Sequence, residues 1–374
     1  MSGTTDEAGA GASKVFETVG DPWRPRTDEW LARSPSDYAG QANRPLLIGA
    51  CPRSGTTLLR GILDNHPDLA VVGETNFIFW LVRHRAEFGN LRKEANRRKL
   101  AEWLFDGEGR GQKRIQGSTP RDEAVQRMVD GGTTLGSMFR AIFQMYAERH
   151  GKPRWGDKRP GYAGFIELMF ELYPDAQFIN LVRDPRGAVA SQLPLGWDKP
   201  GTELASSYAT WETSIERVDG YSEKLRPDQL IDVRFEDLVR DPAGEIRKVC
   251  DWATLPADDD VIGHMVTDKR KGSFREGWHD RLNDEIDTTP VTNWRERMEP
   301  HQISFVERVA APHLERLGYR TLPGLDAEPS KKDLRELERQ RERRASKWGR
   351  RKKEERSNRR KTLWRPIAAE PSKR

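Results

Sequence analysis

Apolar runs alternate with segments of helical periodicity along this 374-residue chain. The run at residues 46–48 shows no polar alternation, which is typical of a parallel strand covered on both faces. Further strands are predicted at residues 69–73 and 178–182 and from residue 230 onward. The helical segments between them would serve as crossover connections. The pattern predicts an α/β domain with a P-loop NTPase-like parallel sheet flanked by helices.

A long segment at residues 76–150 interrupts this alternation and reads as mostly helical. Its apolar residues recur at helical spacing on two faces, formed by Phe77, Ile78, Trp80 and Leu81 and by Leu135, Met138, Phe139, Ile142, Phe143 and Tyr146. A polar, glycine-rich loop at residues 106–120 divides the segment. We therefore expect a helical insertion in the domain.

The two ends of the chain differ in composition from its middle. Residues 1–43 read as a flexible lead-in, residues 44–322 as the folded domain, and residues 323–374 as a basic tail. Residues 330–374 contain 19 Lys+Arg and 7 Asp+Glu, whereas the rest of the chain is net acidic. This tail is predicted to be disordered or a frayed helix, and it is suited to an anionic surface or partner as well as to a purely solubilising role.

The turn after the first strand is the strongest candidate site. Residues 51–57 read Cys-Pro-Arg-Ser-Gly-Thr-Thr, and helical spacing resumes at Thr56. A turn of this kind directs backbone N–H groups and the positive end of a helix dipole at one point, which suits a phosphate. The turn departs from the P-loop pattern G-x-x-x-x-G-K-[ST], because Thr56 stands where the lysine is expected and Arg53 supplies the cation instead.

Three further positions follow predicted strands, where ligand sites of α/β sheets gather. Glu74 follows the second strand and could be a salt-bridge partner of Arg53 or a general base. Lys158 follows a short extended run and could be buried at the site or solvated. Arg183 ends another strand, and Ser191 lies two helical turns later, so the two could share one phosphate. The alternative is that Arg183 pairs with Asp184 or Asp157.

Together these motifs resemble the sulfotransferases that use 3′-phosphoadenosine 5′-phosphosulfate (PAPS), and in particular the tyrosylprotein sulfotransferases and their bacterial relatives. The resemblance rests on the turn at 52–58, on Asp-Asn-His-Pro-Asp at 64–68, on Gly-Glu-Thr at 73–75 and on the Arg183–Ser191 spacing. It covers roughly residues 44–320.

The resemblance assigns a role to each motif residue. Arg53, Ser54, Gly55, Thr56 and Thr57 would hold the 5′-phosphosulfate, and Arg183 and Ser191 would hold the 3′-phosphate. Glu74 would be the catalytic base, and Lys158 would stabilise charge on the bridging oxygen. Arg53 is also a predicted catalytic residue, which would stabilise charge that shifts onto the 5′-phosphate. Trp294 shows a weaker similarity to a residue that stacks on the cofactor or serves as a lid. The basic loop at 268–278 shows a weaker similarity to a loop that closes over the 3′-phosphate.

The resemblance thus implies a PAPS-dependent sulfotransferase that needs no metal. A kinase or other nucleotide enzyme, and a non-catalytic protein acting through the basic tail, are the rival hypotheses. The acceptor could be a small molecule, glycan, lipid or peptide. Two cysteines, Cys51 and Cys250, read as reduced thiols. No stretch approaches the ~20 apolar residues of a membrane span, and we expect a cytoplasmic, bacterial protein.

Overall fold

Five parallel strands form the centre of the structure, a computed structural model that describes residues 44–106, 120–268, 286–325 and 327–361. The sheet has the order β2-β3-β1-β4-β5. Its strands are β1 (Leu46–Ala50), β2 (Leu69–Gly73), β3 (Arg154–Lys158), β4 (Gln177–Val182) and β5 (Leu230–Arg234). The predicted parallel α/β fold is confirmed. The predicted lead-in at 1–43 and nearly all of the loops at 106–120 and 268–278 lie outside the described residues.

Helices cover both faces of this sheet. The first, α1 (Thr56–Leu63), links β1 to β2. The insertion contains α2 (Phe77–His84), α3 (Glu94–Asp106), α4 (Arg121–Asp130) and α5 (Leu135–Arg149), so its described part is mostly helical, as predicted. The remaining helices are α6 (Ile166–Leu172), α7 (Pro185–Gln192), α8 (Glu203–Ser222), α9 (Phe235–Arg240), α10 (Pro242–Ala253), α11 (Asp259–Thr267), α12 (Trp294–Arg297), α13 (Pro300–Val309), α14 (Ala311–Arg316) and α15 (Lys331–Lys361).

Short 3-10 turns complete the set at Arg85–Phe88, Pro160–Phe165, Leu193–Leu195 and Thr289–Val291. None of the helices that the structure describes combines the length and apolar character needed to cross a bilayer.

The core divides according to the alternation of side chains along the strands. Leu47 and Phe178 pack with the helical insertion on one face of the sheet. Ile48 and Ile179, their neighbours in sequence, pack with α1 and α10 on the opposite face. Because successive strand residues point to opposite faces, each residue at a strand's carboxyl end is directed either toward α1 or toward the insertion.

The first half of the final helix, α15, packs on the domain, in a part of the chain where the sequence predicts a disordered or frayed tail. Leu337 is 1% exposed, and it packs in the cluster that contains α8 residues. Arg341 donates to both carboxylate oxygens of Glu212 on α8, at 2.9 and 2.5 Å, and Arg344 donates to Thr210 Oγ1 at 2.8 Å. A mixed stripe of leucine and arginine therefore docks the first half of the helix, which a count of apolar residues alone does not reveal.

Replacing Leu337 with alanine should lower the free energy of unfolding by about 2–4 kcal/mol, because it leaves a cavity between α15 and α8. Urea unfolding followed by circular dichroism would measure the change. The matched control is Leu334→Ala, whose side chain is only partly buried against the same cluster and should cost less. Equal, near-zero effects at both positions would show that α15 does not pack as described.

Candidate active site

The turn between β1 and α1 has an unusual backbone conformation. Arg53 has a φ of +69° and Gly55 a φ of +91°. At Gly55 a Cβ atom would lie 2.4 Å from the ring of Phe235, so only glycine fits the turn at this point. Arg53 has a Cβ atom, and the left-handed conformation costs a non-glycine residue roughly 1–2 kcal/mol. The structure therefore holds Arg53 in a strained position at the mouth of the turn.

The beginning of α1 is left open for an anion. Gly55 is its N-cap residue, no side chain caps the helix, and its first turn contains no acidic residue. The Ser54 side chain is buried, and its Oγ has no hydrogen-bond partner within the described residues. Uncapped N–H groups and an orphaned buried hydroxyl are the donors that a phosphate or sulfate would use. The residues present thus fit an anionic group.

Glu74 and Lys158 meet beside this turn. Lys158 is the last residue of β3, and it pairs in the sheet with Gly73, the last residue of the adjacent strand β2. Glu74 directly follows Gly73. Lys158 Nζ donates to Glu74 Oε1 at 2.8 Å and to Thr57 Oγ1 at 3.3 Å. The lysine side chain is 2% exposed, whereas the glutamate side chain is 44% exposed. Lys158 is therefore buried at the site rather than solvated, and it is the cation paired with Glu74.

The two predicted halves of the nucleotide site also come together. Arg183 Nη1 donates to the carbonyl oxygen of Arg53 at 2.6 Å, and Arg53 Nε donates to Ser191 Oγ at 3.2 Å. Arg53 and Ser191 are 138 positions apart in sequence. The arginine of the turn thus links the candidate 5′ side to the candidate 3′ side.

Arg183 is buried without a carboxylate in direct contact among the described residues. Its Nη2 donates to Pro290 O at 2.7 Å, its guanidinium lies 4.5 Å from the ring centroid of Phe235, and its Nε is buried with no partner in the described part. Burial lowers the pKa of Arg183, and the nearby carboxylate of Glu236 opposes this effect. A buried arginine with an unused N–H group is suited to an incoming phosphate.

The alternative that Arg183 pairs with Asp184 does not hold. Asp184 accepts from Arg186 Nη2 at 2.7 Å, and Arg186 also pairs with Glu307. The sequence does not single out Arg186, because an Arg-Asp-Pro-Arg run does not show which of the two arginines pairs with the aspartate. Its pairing leaves Arg183 available to a ligand.

Trp294 requires a correction. Its side chain is 2% exposed, the Arg186 guanidinium lies 4.2 Å from its ring centroid, and its Nε1 donates to Val291 O. A tryptophan enclosed in this way has no ring face to offer a nucleotide, so we leave it out of the site.

His66 and the two cysteines have structural roles. His66 is buried; its ring contacts Pro256 O at 2.9 Å and accepts from the Asp68 N–H at 3.0 Å. Cys51 and Cys250 are both free and buried. Burial raises the pKa of the Cys51 thiol to about 12, so this cysteine is not a nucleophile despite its place in the turn.

A group with metal-ligand chemistry lies elsewhere, on α8 and α14. Ligand atoms of Glu212, Glu216 and His313 lie within 4.8 Å of one another. Both oxygens of Glu212 are already bonded to Arg341, so we assign no metal to this group.

Comparison with known proteins matches the part of the chain that carries the site to one protein family. A family model described as "Sulfotransferase family" matches residues 45–260, which include both sides of the candidate nucleotide site, Glu74 and Lys158. Protein-tyrosine sulfotransferase 1 of Danio rerio is 26% identical over 284 residues, covering 73% of this chain and 72% of the relative. Protein-tyrosine sulfotransferase A of Caenorhabditis elegans is 24% identical over 279 residues, covering 73% of this chain and 67% of the relative.

A solved structure shares the fold. The sulfotransferase domain of the olefin synthase of Synechococcus PCC 7002 superimposes with a TM-score of 0.50 at 23% identity, covering 75% of this chain and 97% of that domain. This likeness supports the parallel sheet flanked by helices.

Proposed function

This chain belongs to the sulfotransferase family, and we propose that it transfers the sulfuryl group of PAPS to an acceptor hydroxyl. The observation that carries the proposal is the contact of Lys158 with Glu74 at 2.8 Å, beside the uncapped start of α1. This contact supports the proposal, because a cation and a carboxylate lie together beside the turn that would hold the sulfuryl group.

The donor would be held at both of its phosphate groups. The backbone N–H groups of residues 53–57 and the Ser54 hydroxyl would receive the 5′-phosphosulfate. Arg183 and Ser191 would receive the 3′-phosphate, with the guanidinium as a forked donor and the hydroxyl beside it. Arg53 would lie between them, since it contacts both Arg183 and Ser191.

The reaction would proceed by in-line displacement. The acceptor oxygen forms a bond to sulfur while the bond from sulfur to the 5′-phosphate oxygen breaks. Glu74 takes the proton of the acceptor hydroxyl, and the leaving oxygen keeps the electron pair of the broken bond. Lys158 and Arg53 stabilise the negative charge that develops on this oxygen. No further reactant is needed for the step to balance.

For the acceptor we propose a tyrosine side chain of a peptide. The relatives named above are protein-tyrosine sulfotransferases, and Glu74, at 44% exposure, is accessible to a hydroxyl carried on a larger molecule. A glycan, lipid or small-molecule hydroxyl is the alternative that the same base would serve.

The test is to incubate the protein with ³⁵S-labelled PAPS and a tyrosine-containing peptide, with the matched phenylalanine peptide as control. Label on the first peptide alone would support both donor and acceptor. Label only on another component of a host-cell extract would replace the acceptor but keep the donor. Transfer of phosphate from Mg-ATP, with none of sulfate, would refute the proposal.

A binding measurement addresses the 3′-phosphate directly. Arg183→Ala should weaken adenosine 3′,5′-bisphosphate at least about tenfold more than AMP, because a charge-assisted hydrogen bond to the 3′-phosphate is lost. Calorimetry with both nucleotides would measure the difference. Since Arg183 also supports the carbonyl of Arg53, Ser191→Ala should be measured in parallel, with a smaller loss of the same kind. Equal losses for the two nucleotides would refute the assignment.

A further inference from the structure

The backbone of Glu74 is held in a conformation that glutamate does not favour. Its φ is +42°, in the left-handed region, where a non-glycine residue is strained. Strain of this kind persists only where the surrounding structure fixes the residue on both sides. The residues that fix it therefore decide where the carboxylate points.

The fixing residues are three consecutive positions at the end of β3. The Glu74 N–H donates to Lys158 O at 2.7 Å, and Arg159 Nη1 donates to Thr75 O at 3.2 Å. The Thr75 hydroxyl donates to Asp157 Oδ2. The residue that carries the base is thus bonded to β3 through its own amide and through both the carbonyl and the side chain of its successor.

Asp157 is the least expected of these residues. It is fully buried, and its Oδ2 accepts from the hydroxyls of both Thr75 and Tyr162. It pairs in the sheet with Leu47 and Val72, whose side chains pack in the cluster with the helical insertion. Side-chain alternation therefore directs Asp157 to the face of the sheet opposite Lys158, so Asp157 cannot touch a ligand held by the turn.

A buried carboxylate has a cost that needs an explanation. Burial raises the pKa of Asp157 to about 6, while the hydroxyl donors Thr75 and Tyr162 and the cations Lys158 and Arg159 oppose the rise. An asparagine or an apolar residue would avoid that cost. The carboxylate is, however, a stronger hydrogen-bond acceptor than either replacement, and it fixes the hydroxyl of Thr75, the residue next to the base.

We propose that Asp157 is a positioning residue: through the Thr75 hydroxyl it holds Glu74 in its left-handed conformation and so keeps the Glu74 carboxylate on Lys158. The anchor acts on the backbone, and its effect on turnover rests on the function proposed above. The residue acts from behind the sheet, without contact with donor or acceptor.

Two measurements on the full chain test this anchor. The first is hydrogen exchange of the peptide covering residues 70–77 in Thr75→Val, Asp157→Ala, Thr75→Ser and Tyr162→Phe variants. Alanine leaves no oxygen to accept from the Thr75 hydroxyl, so Thr75→Val and Asp157→Ala should exchange faster than wild type at the Glu74 amide, and Thr75→Ser should restore protection. Tyr162→Phe removes the other hydroxyl on the same carboxylate and that hydroxyl's 3.1 Å contact with Thr75 Oγ1, but it leaves the bond from Thr75 to Asp157 in place. It should therefore loosen this peptide clearly less than Thr75→Val.

The second measurement is sulfuryl transfer. Thr75→Val should lower kcat by up to about 100-fold, the scale of a misplaced catalytic group, while adenosine 3′,5′-bisphosphate binds as in wild type. Combining Thr75→Val with Asp157→Ala should add little to either single effect, because both break the same bond.

The outcomes separate the anchor from the proposed function. Unchanged exchange at residues 70–77 in Thr75→Val and Asp157→Ala would overturn the anchor. So would equal loosening in Tyr162→Phe, because that variant leaves the bond from Thr75 to Asp157 in place. A wild-type protein that transfers no sulfuryl group would refute the proposed function, and the exchange comparison would still decide on Asp157.

Discussion

Replacing Glu74 with glutamine should lower kcat by about 10²- to 10⁴-fold, the usual contribution of a positioned proton acceptor. Glutamine has the same shape and keeps an oxygen that can accept from Lys158, so the 2.8 Å contact and the turn should persist. What it loses is the ability to take the proton of the acceptor hydroxyl. Affinity for adenosine 3′,5′-bisphosphate should therefore stay close to that of the wild type.

Initial rates with labelled PAPS and calorimetry with the bisphosphate check the two halves of this expectation. Glu223→Gln, an exposed position at the end of α8, is the control for the loss of one carboxylate. A Glu74→Gln variant with nearly normal kcat would exclude the base role. A variant that has lost nucleotide binding would instead show that Glu74 acts in holding the donor.

The elements that carry the site could be predicted from the sequence because each is a local pattern. The strand at 69–73 ends where predicted, and the helix after Asp184 begins at Pro185, since an apolar run and a proline at the first helical position depend only on neighbouring residues. Motif residues at the carboxyl ends of parallel strands then meet because the sheet topology brings those ends together.

Partners chosen by tertiary packing could not be predicted in this way. The bond from Arg53 to Ser191 spans 138 positions, and the enclosure of Trp294 by Arg186 depends on where α12 packs. The docking of α15 depends on Arg341 finding Glu212. In each case the residue type permits several environments, and only the packed neighbours decide among them.

The strained backbone positions are a further feature that could not be predicted from the sequence. Arg53 and Glu74 both have positive φ, and nothing in their local sequence announces it, since neither is glycine or asparagine. Both lie at the candidate site. Backbone strain held by the surrounding structure is commonly found at functional sites. Of the three described non-glycine residues with positive φ, two are residues that the motif resemblance also selected, and the third, Thr254, caps the end of α10.

Replacing Lys158 with methionine should lower kcat by about 10²- to 10³-fold, the effect of removing one group that stabilises charge developing in a transition state. Methionine fills similar space at a position that is 2% exposed, so the carboxyl end of β3 should remain packed. Binding of the donor in its ground state should change less than kcat, because the leaving oxygen gains its full charge only as the bond to sulfur breaks.

The matched control is Lys152→Met. Lys152 is a partly buried lysine whose Nζ donates to Leu69 O at 3.0 Å. Leu69 lies at the opposite end of β2 from Glu74, so the loss of Lys152 should lower stability and leave kcat unchanged.

Steady-state rates of Lys158→Met, Glu74→Gln and the double variant complete the test. Because Lys158 and Glu74 touch and act in one step, the double variant should lose less than the product of the two single effects. Strictly multiplicative losses would indicate that the two residues act independently, and a Lys158→Met enzyme with normal kcat would show that the charge on the leaving oxygen is stabilised elsewhere, by Arg53 and the turn alone.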